Sequence, residues 1–186
     1  FEIVRRRLFQ PIKDEAGRDE VCRAFSSMYV NGAEDFPSQA REGAYYDRLT
    51  AAYPIHPEVF DRLYDDWSTL EKFQRTRGVL RLLAAVIHQL WVDDDRSLMI
   101  MPGSTPLGAS KVRDELLGYL PDGWQSVVEK DVDGDRSEPY QIDAKNPRLG
   151  ALSAARRVSR TVFLGSAPSV REQRVRGIEE IRVRLG

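Results

Sequence analysis

One stretch constrains this chain more than any other. From Val79 to Trp91, thirteen residues are nearly all apolar, broken only by Arg81, His88 and Gln89. A membrane-crossing helix needs about twenty such residues. The run therefore predicts a helix from Thr76 to Val92 at the centre of a helical bundle, with no membrane span. The 186 residues are 41% hydrophobic and 31% charged, which suits one soluble unit or two small ones sharing a core. Cys22 is the only cysteine. It excludes an internal disulfide and a cysteine-based zinc site, and it falls on the apolar stripe of its helix.

The remaining pattern is mostly helical. Val21, Cys22, Phe25, Met28 and Tyr29 recur at helical spacing between Arg18 and Val30. Ser38 is placed to cap a helix running to Tyr53. Pro57 occupies a favourable first-turn position, and Val59, Phe60, Leu63, Tyr64 and Trp67 then form one stripe. The texture changes near residue 95. Ser97–Met101 and Glu180–Leu185 read as short strands, and Asp131–Lys145, with Gly134 and Pro139, reads as a loop. A final helix is predicted from Leu149 to Phe163, with Leu152, Ala155, Val158 and Val162 in phase. The expected fold is mainly α, with a helical bundle over 1–95 and a smaller mixed region over 96–186 that adds a small α+β part. The chain starts at Phe1 without a signal peptide and stops in mid-pattern at Gly186. It is expected to be a piece of a longer protein from a reducing cytoplasm.

Charge is balanced overall at −1 but not along the chain. Residues 148–186 hold nine arginines, no lysine and three glutamates, a net +6, so the other 147 residues carry −7. Such a basic end meets either phosphate or an acidic protein surface. Arg156, Arg157, Arg160, Arg171, Arg174 and Arg176 are the candidate contacts if this segment binds nucleic acid or a partner protein. Phe163 is the only aromatic residue after Tyr140, which weakens a base-stacking role.

No self-contained active site is visible. His56 and His88 have no partners at metal-ligand spacing and read as structural, so no metal site is expected. Asp131-Val132-Asp133-Gly134-Asp135 resembles a calcium loop only superficially. Glycine is fourth rather than sixth, and Ile142 stands at the twelfth position, where glutamate is needed. It reads as an acidic surface turn. Neither a G-x-S-x-G elbow nor a G-x-x-x-x-G-K-[ST] phosphate loop occurs. One constellation remains. Arg75 and Arg77 open the apolar helix, where the helix dipole is positive and free N–H groups favour anions. They either contact a phosphate or bridge Asp65, Asp66 or Glu71.

Those same residues carry a resemblance. Tyr53-Pro54-Ile55-His56-Pro57-Glu58-Val59-Phe60-Asp61-Arg62-Leu63, then Trp67, then Phe73 to Leu83 around Arg75-Thr76-Arg77-Gly78, resemble the bacterial ATPases of the domain-of-unknown-function family numbered 499. The similarity extends to Asp131–Gly134, Thr161–Ser166 and Arg176–Glu179. The resemblance implies the helical lid of an AAA+-like ATPase and the region that follows it. Such ATPases are often associated with DNA methyltransferases in phage-defence loci. ATP and magnesium would then be held mainly by another part of the parent protein. In such lids an arginine at a helix start reaches the γ-phosphate. Arg77 sits where that arginine would be, and Arg75 is the second candidate. The fragment alone is expected to be non-catalytic. The competing reading is a nucleic-acid-binding or protein-interaction module built on residues 148–186. A freestanding hydrolase is disfavoured by the lack of a nucleophile–base pair.

Overall fold

Helix punctuation along the chain sets the architecture seen in the computed structural model, which describes residues 2–170 and 178–186. Pro11 ends α1 (Glu2–Leu8) at the turn before α2 (Glu15–Asn31), and the Asp14 carboxylate caps α2 by accepting the Gly17 N–H at 2.8 Å. A 3₁₀ turn at Ser38–Arg41 precedes α3 (Gly43–Ala52), so the helix expected to start at Ser38 begins five residues later. Pro57 opens α4 (Pro57–Asp61), which continues through a π turn, Arg62–Asp66, and a 3₁₀ turn, Trp67–Thr69. Then come α5 (Arg75–Val92), α6 (Ser110–Leu117), α7 (Trp124–Val127), α8 (Glu138–Lys145), α9 (Pro147–Gly150), α10 (Ala154–Ser166) and α11 (Glu180–Val183).

The fold is mainly α, and among the described residues there is no strand. The two short strands expected from the sequence resolve differently. Around Ile100 there is one parallel bridge to Ile55, with the His56 N–H donating to the Ile100 carbonyl at 2.9 Å. The bridge does not grow, because Pro54 lacks the N–H a ladder requires on one side and α4 begins at Pro57 on the other. Residues 180–183 form α11 rather than a strand. The polar stretch before Lys145 contains α8, where Pro139 lies in the first turn and the Ser137 hydroxyl accepts the Tyr140 N–H at 3.3 Å.

The expected helix from Leu149 to Phe163 is broken between α9 and α10 by Ser153 at φ 50°. Its cap comes from elsewhere in the chain. The buried Asp143 carboxylate of α8 accepts the Ala155 and Arg156 N–H groups at 2.9 and 3.2 Å. It thereby fixes where α10 starts.

Two apolar clusters fill the interior. The larger surrounds α5 and includes Val4, Phe60, Leu63, Trp67, Phe73, Leu116 and Leu164. The smaller gathers Cys22, Tyr29, Tyr45, Leu49, Met99, Met101 and Leu185. Helix α5 is buried on one face only, through Val79, Leu82, Leu83 and Val86. At its far end Trp91 is 78% exposed, so it is not enclosed all round as its composition suggested. Among the described residues no helix is long and apolar enough to cross a membrane.

Candidate anion-contact site

The start of α5 is held by aromatic packing beneath it. Phe73 makes an edge-on contact with Tyr119 at 4.9 Å and a tilted one with Trp67 at 6.2 Å. Gly78 lies directly over the Phe73 ring, where a Cβ would stand 3.1 Å from ring carbons. A side chain there would make the Phe73 ring give way by a few tenths of an ångström. The Trp67 Nε1–H donates to the Leu164 carbonyl at 2.7 Å and so ties this end of the bundle to α10.

The helix start itself is open. Gln74 provides no side-chain cap, and no acidic residue lies in the first turn. Its first N–H groups therefore lack a side-chain acceptor, and the positive end of the dipole has no carboxylate of its own helix to offset it. Arg77 is exposed, in the first turn of this helix. Asp66 pairs with Arg62 at 2.7 Å instead, and among the described residues no ion pair joins Arg77 to Asp65, Asp66 or Glu71. The side chain of Arg75 lies outside what the structure describes. A helix start without a side-chain cap, next to a guanidinium that has no ion pair among the described residues, can accept a phosphate group. Among the described residues, no cluster of three or more His, Cys, Asp or Glu side chains could hold a metal ion.

A charge network that sequence reasoning missed surrounds the start of α4. His56, fully buried, caps α4: its Nδ1 accepts the Glu58 N–H at 3.2 Å. In the neutral ring the hydrogen then sits on Nε2, which donates to the Tyr29 hydroxyl oxygen at 3.0 Å. Burial pushes the His56 imidazole down to about 3, with Arg48 acting in the same direction. Glu58 is also fully buried. It pairs with Arg62 Nε at 3.0 Å and with Arg182, 124 residues along the chain, at 3.1 Å. Burial pushes the Glu58 carboxyl up to about 7, while the two guanidinium groups pull it the other way. The Glu58–Arg62 pair was legible as an i, i+4 spacing, but no local signal pointed to Arg182.

Among the described residues, four arginines of the basic segment, Arg156, Arg160, Arg182 and Arg184, are ion-paired within the chain. Arg156 pairs with Asp143 at 3.3 Å and lies over the Tyr140 ring. Arg160 pairs with Asp133 at 2.7 Å and donates to the Gly103 carbonyl at 3.3 Å. Arg157, half-buried, lines a polar cavity with Asp93, Asp95 and Arg160. Arg171, Arg174 and Arg176 lie outside the described residues. The presumed acidic surface turn is also partly interior. Asp133 is 4% exposed and accepts the Gly108 N–H at 2.6 Å, and a Cβ on Gly134 would stand 2.1 Å from the Glu129 carbonyl oxygen.

With this geometry in place, comparison with known proteins is informative about kinship. A family model described as the DUF499 second domain matches residues 1–176, and the chain belongs to that family. No curated protein and no solved structure matches it.

Proposed function

We propose that this domain is the nucleotide-sensing helical lid of a larger bacterial AAA+-like ATPase, with Arg77 as the residue that reads the γ-phosphate. The observation that carries the reading is the open start of α5. The helix has no side-chain cap, Arg77 is exposed there with no carboxylate partner among the described residues, and Phe73 packs against Gly78 beneath. ATP carries one more phosphate than ADP, so a guanidinium in this position would bind the ATP state more strongly. Lid position would then follow nucleotide state. The rest of the protein would hold the nucleotide and its magnesium. A setting alongside a DNA methyltransferase in cytoplasmic phage defence follows from the family resemblance.

The test is ATP hydrolysis by the full-length protein, wild type against Arg77→Ala, with a melting curve for each. Activity should fall at least about tenfold, about 1.4 kcal/mol of transition-state stabilisation. Melting should not change, because the side chain is exposed. Hydrolysis at the wild-type rate would remove the sensor assignment.

A further inference from the structure

Helix α10 carries an apolar face that nothing among the described residues covers. Its inner side is taken by Thr161, Phe163, Leu164 and Gly165, all buried. The stripe that the sequence marks for burial points the other way: Val158 is 53% and Val162 41% exposed. These valines form one wall of a groove of about 400 Å³. The opposite wall is the helical segment beginning at Trp124, which contributes Val127 and Val132 and is braced by an edge-on Trp124–Phe163 contact at 5.7 Å. A second groove of about 270 Å³, lined by Leu70, Leu120 and Pro121, shares Trp124 and Ala167 with the first. Among the described residues, the charged residues lining the pair are Asp122 in one and Asp131 in the other.

We infer that this groove docks an amphipathic helix supplied from outside these residues, with an apolar stripe flanked by lysine or arginine. Two observations fix the type of occupant. First, both walls are helical, with apolar residues three or four apart: Trp124 and Val127 on one, Val158 and Val162 on the other. That spacing accepts the ridge of a third helix. Second, the charges at the rim are acidic. They complement a basic flank and repel both an acidic helix and an anionic lipid surface. An exposed apolar patch of this kind marks an interaction surface. It lies on different elements from the open start of α5, so the inference does not depend on the proposed sensor.

A dye-labelled eighteen-residue peptide of leucine and lysine, patterned as an amphipathic helix, is the probe, with its leucine–glutamate counterpart as control. The lysine peptide should bind the chain with a Kd of about 1–100 μM, and Val158→Asp and Val162→Asp should each weaken it at least about tenfold. Both variants should melt close to wild type, since each valine is about half exposed and neither belongs to either apolar cluster. Asp122→Asn with Asp131→Asn should weaken the lysine peptide and lessen its salt dependence. Absence of binding at 1 mM, equal binding of the glutamate peptide, or indifference to both valine substitutions would each overturn the inference. A chain that sediments as a dimer and becomes monomeric on Val158→Asp would overturn it as well, because the occupant would then be a second copy.

Discussion

Replacing Trp67 by alanine is expected to remove about 3–5 kcal/mol of unfolding free energy, the range for deleting a large aromatic side chain from a packed core. Trp67 is fully buried between Phe73 and Phe163, with ring centroids 6.2 and 6.1 Å away. Its indole N–H is the bond that joins the turn after α4 to the Leu164 carbonyl of α10. Alanine would leave a cavity and also orphan that carbonyl. Trp67→Phe separates the two contributions, since it keeps most of the packing and loses the hydrogen bond, at about 1–3 kcal/mol. Trp91→Ala is the control. That residue is 78% exposed, and its change should stay within about 0.5 kcal/mol. Urea unfolding of the three variants decides the matter. A loss below 1 kcal/mol for Trp67→Ala would mean that the α4–α10 contact is not a main support of the fold.

The second large effect is a dependence on pH. Glu58 has its folded pKa raised to about 7 from 4.5. Protonation therefore favours the folded state, and this contribution is complete below pH 4.5 and is lost as pH rises through 7. His56 runs the other way. Its folded pKa is lowered to about 3 from 6.5, so its contribution is complete above pH 6.5 and is lost as pH falls toward 3. Between pH 4.5 and 6.5 the two slopes oppose each other and largely cancel. Glu58→Gln removes one of them. As pH falls from 7 to 4.5, wild type should gain on this variant by about 3 kcal/mol, following about 1.4 kcal/mol for each pKa unit. Paired urea titrations at pH 7 and pH 4.5 measure the difference. If wild type loses ground instead, the Arg62 and Arg182 guanidinium groups outweigh burial, and Glu58 is ionised throughout.

Local signals carried much of the fold, and long-range ones did not. The start of α4 was legible because proline at a first helical turn has one meaning wherever the chain goes next. The same residue type misled at Pro139, where it opened a helix in a stretch whose polarity suggested a loop. The break at Ser153 had no local sign at all, since the cap that starts α10 is supplied by Asp143 from a separate helix. The apolar phase of Leu152, Val158 and Val162 suggested a buried face, yet all three are substantially exposed, because a single sequence does not say which elements pack against a stripe. At the candidate site, the place of Arg77 at a helix start was legible from the sequence. The Glu58 network was not, because its far member, Arg182, becomes a neighbour only after folding. Asp133 looked like surface for a related reason, as its partner Arg160 lies 27 residues away.

The central claim is that Arg77 distinguishes ATP from ADP, and the most direct measurement is the pair of nucleotide affinities in the full-length protein. Fluorescent ATP and ADP analogues would be titrated into wild type and Arg77→Ala, with Arg77→Lys to separate charge from bidentate geometry. The prediction is a loss of ATP affinity of at least about tenfold in Arg77→Ala, partly recovered by lysine, with ADP affinity unchanged. Equal affinities for both nucleotides before and after the substitution, or an equal fall in both, would contradict a γ-phosphate sensor at the start of α5.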